Sequence, residues 1–133
     1  LEATIQNKDD FKDFLDFAMI ANEGTWSRYQ NEILVGLKCA DVDFITRYQK
    51  NGYGFSFESN FKELKFANPL TLLTGKQDNC VGYDDRWNLL NHLPQLRFIC
   101  VDNAGHNLQI EQKETFDAAF RKWLTDTEKD TNN

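Results

Sequence analysis

The sequence predicts an α/β fold built on a parallel sheet, and three observations carry that expectation. Leu70-Thr71-Leu72-Leu73-Thr74 is a short, nearly continuous apolar run bounded by Pro69 and Gly75. Leu96-Arg97-Phe98-Ile99-Cys100-Val101 is a second such run, ended by Ala104-Gly105. A helical pattern separates the two and another follows them. Runs without polar alternation suit strands buried on both faces, and strand, helix, strand in that order is a βαβ crossover. The unit from 69 to 102 therefore predicts two parallel strands.

The elements before this unit read as helices. Phe11, Phe14, Leu15, Ala18 and Met19 recur at spacings of three and four, with Asp9, Lys12, Asp13 and Asp16 outside that stripe. Gly24 ends the run. Trp26, Tyr29, Ile33, Leu34 and Leu37 give a second helix, closing near Gly36 to Lys38. A third runs from Asp41 to Lys50 and groups Phe44, Ile45 and Tyr48, with Asp41 as its N-cap. Asn51-Gly52 breaks the chain, and residues 53–57 form a connector. Within the βαβ unit, the helix spans about Asp84 to His92 and stops before Pro94; Asp84 and Asp85 favour its dipole. A last helix from about Glu111 to Leu124 places Phe116, Ala119, Phe120, Trp123 and Leu124 on one face. The polar stretch 126–133 is expected to fray.

Composition narrows the function. The 133 residues are 41% hydrophobic, enough for a core, and 27% charged, an ordinary share for a globular chain. Lys and Arg number 15 against 21 Asp and Glu, a net charge of −6. That balance gives no basic footprint for nucleic acid. With no apolar stretch of membrane-spanning length, no membrane partner is expected. Residues 1–20 carry Asp9, Asp10, Asp13 and Asp16 where a signal peptide needs basic and apolar regions. Cys39, Cys80 and Cys100 make no Cys-x-x-Cys pair and an odd count, which suits free thiols in a reducing, cytoplasmic setting. His92 and His106 are the two histidines. With neither residue type clustered in sequence, no metal site is expected, and no cofactor.

Parallel strands point the same way, so their C-terminal ends share one edge of the sheet, where open α/β sheets bind ligands. Asp78 lies just beyond the first strand and His106 just beyond the second. Neighbouring strands lie about 4.8 Å apart, so their exit loops can bring a carboxylate to an imidazole. A carboxylate on Nδ1 fixes the imidazole tautomer and stabilises the imidazolium during catalysis. Gly105 suits a tight turn that puts the next side chain into the cleft. The other readings stand beside this one. An Asp after Gly-Lys-Gln ordinarily serves turn chemistry, and a loop histidine is ordinarily solvated. Asp102, at the end of the second strand, competes with Asp78 as partner of His106, but it is too close in sequence to approach the ring easily. His92 reads as structural or exposed. Trp26, Tyr29, Tyr53 and Phe55 are candidates to line a substrate pocket, or else belong to the core.

These residues resemble the α/β-hydrolases. The run Pro69 to Asp78 is similar to that family's strand followed by Gly-x-x-Asp, and Ala104-Gly105-His106 is similar to its Gly-His. Asn107 through Phe116 resembles the segment that follows, with Glu111 and Phe116 in place. Gly82 and Lys113 stand where the family often has proline. The resemblance implies that Asp78 is a triad acid and His106 a triad base. It also implies a helical cap over 1–60, the C-terminal βαβα of the hydrolase core over 61–125, and a disordered tail over 126–133. The implied chemistry is cofactor-independent hydrolysis of ester or carbon–carbon bonds in small carbonyl substrates.

Family order places the nucleophile before the acid, on a Gly-x-Ser-x-Gly elbow. No such elbow occurs here: the serines are Ser27, Ser56 and Ser59, none between glycines at that spacing. The chain opens on Leu1 and its one methionine is Met19. The expectation is thus the C-terminal piece of a serine hydrolase: an incomplete fold, inactive alone, that self-associates or swaps elements to cover its apolar strands. Two alternatives remain, a non-catalytic binding module with a hydrolase-like fold and an unrelated interaction domain whose Gly-His is coincidental. Absence of adjacent parallel strands at 69–74 and 96–101 marks the last of these.

Overall fold

A computed structural model of the chain describes residues 5, 7–52, 54, 56 and 68–131. Helix α1 spans Lys8–Phe17. Its N-cap is Asn7, whose side chain accepts from the Asp9 and Asp10 N–H groups at 2.9 and 3.4 Å. Two acidic residues in the first turn suit the positive end of the helix. Helix α2, Glu23–Tyr29, opens with a capping box: Asn22 Oδ1 accepts from the Thr25 N–H, and Thr25 Oγ1 accepts from the Asn22 N–H, both at 3.0 Å. The chain continues helically through a π turn at Gln30–Leu34 into α3, Val35–Lys38. Helix α4, Val42–Asn51, carries the expected Asp41 cap, with the Phe44 N–H donating to Asp41 Oδ1 at 2.8 Å. It stops at Gly52, whose φ of 80° is the left-handed conformation that glycine adopts freely.

The two strands are β1, Leu70–Gly75, and β2, Leu96–Val101. They pair in parallel, with Leu70 opposite Leu96 and Gly75 opposite Val101. The helical stretch between them is shorter than its apolar pattern suggests. Helix α5 covers Asp84–Trp87, and a 3₁₀ turn at Asn88–Asn91 delivers the chain to Leu93 and Pro94. After β2 come α6, Leu108–Glu111, and α7, Lys113–Thr131.

Helix α7 runs well past the expected end at Leu124. Residues 126–131 lack an apolar stripe, which is why they read as a fraying tail. Polar docking holds them instead. Asp126 accepts from Arg97 of β2 at 2.8 Å and pairs with Lys122 one turn back, and Thr127 donates its hydroxyl to the Trp123 carbonyl. The Trp123 indole N–H also donates to the Pro69 carbonyl at 3.1 Å, tying α7 to the start of β1.

Two apolar clusters form the core. Val101, Ala104 and Leu108 are buried with Leu73, Ile99 and Phe116 against them, joining the sheet to α6 and α7. Phe14, Trp26, Tyr29 and Ile110 form the other, with Phe11, Ile33 and Leu34 packed around them. Ring centroids of Phe11 and Trp26 lie 5.1 Å apart edge to face, and those of Phe14 and Tyr29 lie 5.3 Å apart. Contacts of this kind stabilise the core beyond what the area removed from water contributes. Ile110 follows β2, so this second cluster fastens the N-terminal helices to the sheet. Arg28 does the same in polar terms, donating to the Gln109 and Ile110 carbonyls at 2.9 and 3.1 Å. The grouped Phe44, Ile45 and Tyr48 of α4 do share a face, but that face is exposed. Among the described residues, no helix is long and apolar enough to cross a membrane.

Candidate active site

Beyond β1 the main chain keeps pairing with the loop beyond β2. The Lys76 N–H donates to the Val101 carbonyl at 2.8 Å and the Gln77 N–H to the Ala104 carbonyl at 2.9 Å. The Gln77 side chain clasps the same loop, accepting from the Ala104 N–H at 3.2 Å and donating to Asp102 Oδ1 at 2.7 Å. The loop turns through Asn103, whose φ of 53° is left-handed. Asparagine tolerates that conformation because its short polar side chain bonds locally.

Gly105 is therefore not the residue that makes the turn. Its φ is ordinary, and what a side chain would meet there is the Phe17 carbonyl, 3.1 Å from an added Cβ. Close approach of the α1 terminus, rather than turn geometry, is the reason for glycine at this position.

Asp78 and His106 come together at this edge, with Asp78 Oδ2 3.4 Å from His106 Nδ1. The other oxygen of Asp78 accepts from the Cys80 N–H at 2.8 Å and the Val81 N–H at 3.1 Å. Its side chain is 12% exposed, that of His106 44%. Burial pushes the Asp78 carboxyl up, but the Val81 and Cys80 N–H groups and His106 outweigh it, and its pKa lies below the ordinary value. The carboxylate is thus ionised and fixed in orientation. Asp102 is bonded elsewhere: it accepts from Gln77, which with Lys76 lowers its own pKa, and it is exposed.

A hollow of about 260 Å³ opens beside the pair, walled by Leu72, Thr74, Val81, Leu108 and Phe116. Arg86 braces its rim by donating to the Val81 and Gly82 carbonyls at 2.9 and 2.5 Å. The Phe17 ring lies 5.8 Å from the His106 imidazole, so the end of α1 borders the site. Trp26 and Tyr29 do not line this hollow. They are 1% and 3% exposed and belong to the aromatic core, because their helical spacing matches the buried face of α2. Tyr53 and Phe55 lie outside the described residues. His92 is exposed on the turn after the 3₁₀ segment.

Two residues take roles that the sequence does not reveal. Cys80 is exposed, and its Sγ, one Asp78 oxygen and one His106 nitrogen all lie within 4.8 Å of one another. Glu111 is the other. One of its oxygens accepts from the Met19 N–H at 2.5 Å and the Ile20 N–H at 3.2 Å, and the second accepts from the Gly105 N–H at 2.5 Å. One carboxylate thus ties the segment after α1 to the residue before His106. Glu111→Ala is expected to destabilise the chain by about 2 kcal/mol in urea denaturation, because it strands the partly buried Ile20 and Gly105 main-chain donors. Glu111→Gln, which keeps one acceptor, should recover part of that. A change below about 0.5 kcal/mol for the alanine variant would mean that water replaces the carboxylate.

No protein-family model and no curated protein matches this sequence. Among solved structures, the chain is similar to an α/β superfamily hydrolase from Oenococcus oeni PSU-1, with a TM-score of 0.85 and 35% identity. The match covers 93% of this chain and 46% of that one, so the chain spans about half the length of the protein it resembles.

Proposed function

Because this chain is related to the α/β-hydrolases and carries part of their fold, we propose that it is the acid- and base-bearing C-terminal part of a serine hydrolase. Asp78 is the acid, His106 the base, and the nucleophile lies outside these 133 residues. The observation that carries this reading is the 3.4 Å approach of Asp78 Oδ2 to His106 Nδ1 at the C-terminal edge of two parallel strands.

In that arrangement Asp78 accepts a hydrogen bond from Nδ1–H, which leaves Nε2 with its lone pair free. Nε2 takes the proton of the attacking serine and returns it to the leaving group, while the ionised carboxylate stabilises the imidazolium between the two steps. The substrates we propose are small carbonyl compounds cleaved at an ester or carbon–carbon bond, seated in the largely apolar hollow beside the pair. The test joins the chain to a nucleophile-bearing half and measures ester hydrolysis with and without His106. The 133 residues alone should give no turnover above a His106→Ala control. Full activity of the joined protein without His106 would instead support a binding module.

The isolated chain also leaves apolar surface uncovered. Leu73, Phe116, Ala119, Phe120 and Trp123 surround an open hollow of about 260 Å³ between β1 and α7. Thr71 and Thr74 have buried hydroxyls without partners among the described residues. Sheet or helix from elsewhere would cover this face in a complete hydrolase. We propose that the isolated chain covers it by self-association, so light scattering at micromolar concentration should give more than the monomer mass. A stable monomer would overturn this.

A further inference from the structure

We propose that Asp78, Cys80 and His106 form a three-ligand site for a divalent transition ion of the zinc type, and that filling it takes the Asp78–His106 pair out of use. Folding brings His106 to two donors of the loop after β1, Asp78 and Cys80, so that one atom of each lies within 4.8 Å of the others. Their chemistry matches a borderline-soft ion: a thiolate, an imidazole nitrogen and a carboxylate oxygen.

Distances favour insertion of the ion between acid and base. Zinc binds nitrogen and oxygen at about 2.0–2.1 Å, so two such ligands on a tetrahedral ion stand about 3.4 Å apart. That is the separation of Asp78 Oδ2 and His106 Nδ1. The same distance is long for a charge-assisted hydrogen bond, which closes to about 2.8 Å. Sulfur sits about 2.3 Å from the ion and so about 3.6 Å from the other ligands. Sγ of Cys80 need close by only the remainder, and the side chain is exposed. The carboxylate is already oriented, since its second oxygen is held by the Cys80 and Val81 N–H groups. A water would complete the tetrahedron.

On binding, the thiol proton passes to solvent, and the Nδ1 proton is displaced while Nε2 takes one up. The imidazole is then fixed in the tautomer that cannot accept a proton at Nε2. Such an ion is an inhibitor of the chemistry proposed above, not a cofactor for it. The binding stands on the geometry alone; only its consequence for turnover rests on the hydrolase reading.

The test uses the 133-residue chain and needs no activity. Zinc is titrated against a chromophoric chelator, and cobalt is added as a spectroscopic probe. One ion per chain is expected, and cobalt should show a thiolate charge-transfer band with the intense visible bands of a tetrahedral ion. Cys80→Ser and His106→Ala should each weaken zinc binding by at least ~100-fold, and Cys80→Ser should abolish the charge-transfer band. The double variant Cys39→Ser, Cys100→Ser should keep both. No zinc uptake, or a band that survives Cys80→Ser and vanishes in the double variant, overturns the proposal. Circular dichroism on each variant shows that the exposed substitutions leave the fold intact.

Discussion

Alanine at position 106 is expected to lower kcat by about 10⁴- to 10⁶-fold in a protein that joins this chain to its nucleophile, with KM nearly unchanged. The size of the effect follows from what the imidazole does. A serine hydroxyl is a weak nucleophile until a neighbouring base accepts its proton, and the leaving group needs that proton back. Among the described residues, no other histidine lies at this edge of the sheet, since His92 sits on the turn before β2. His92→Ala should therefore leave turnover within a factor of two or so of the parent, a surface change away from the site. Asp78→Asn is the more revealing partner. The asparagine carbonyl can still accept from the Cys80 and Val81 N–H groups, so the turn that shapes the loop survives. What is lost is the negative charge beside Nδ1, and the expected cost is about 10⁴-fold in kcat with little change in stability. A His106→Ala protein that keeps more than about a tenth of the parent rate would end the triad reading.

Sequence patterns were enough for the parts of the molecule that depend on local periodicity and chain direction. The apolar runs at 70–74 and 96–101 became adjacent parallel strands because the crossover between them permits one arrangement, and that arrangement alone puts Asp78 and His106 at one edge. The Asp41 cap and the break at Gly52 are equally local. What the patterns could not reach are contacts between segments far apart in the chain. Glu111 reads as one more acid near a helix start, yet its three donors include Met19 and Ile20, which precede it by 92 and 91 positions. Cys80 and His106 meet only after the strands pair. Trp26 and Tyr29 carry a buried helical face, and the same spacing suits a pocket wall, so only packing against Phe14 and Ile110 decides between them. The reach of α7 past Leu124 depends on Arg97, which no pattern within the helix reveals.

Gly75→Ala is expected to cost about 3 kcal/mol, the upper end of what overpacking a fitted core does, and to separate the acid from the base. A Cβ at this position would lie 2.5 Å from the Ala104 and Gly105 carbonyl oxygens and 2.8 Å from the Ala104 carbonyl carbon. Ordinary carbon–oxygen contacts begin near about 3.3 Å, so backbone must move by most of an ångström. Neither side yields easily. The Ala104 carbonyl is held by the Gln77 N–H, its N–H by the Gln77 side chain, and the Gly105 N–H by Glu111. Ala104 is itself wholly buried. Displacing this loop moves His106, the next residue along, while Asp78 stays with β1. Gly82→Ala is the control. It sits in the same exit loop, with ordinary φ and nothing within 4 Å of an added Cβ. Its stability should stay within about 0.5 kcal/mol, on the stable side if anything, because alanine narrows the unfolded ensemble. Urea midpoints at constant m separate the two cases. If Gly75→Ala costs under about 1 kcal/mol, the loop after β2 is softer than its hydrogen bonds imply. The proximity of Asp78 and His106 would then depend less on the exit of β1 than on Glu111, which grips the same loop from the other side.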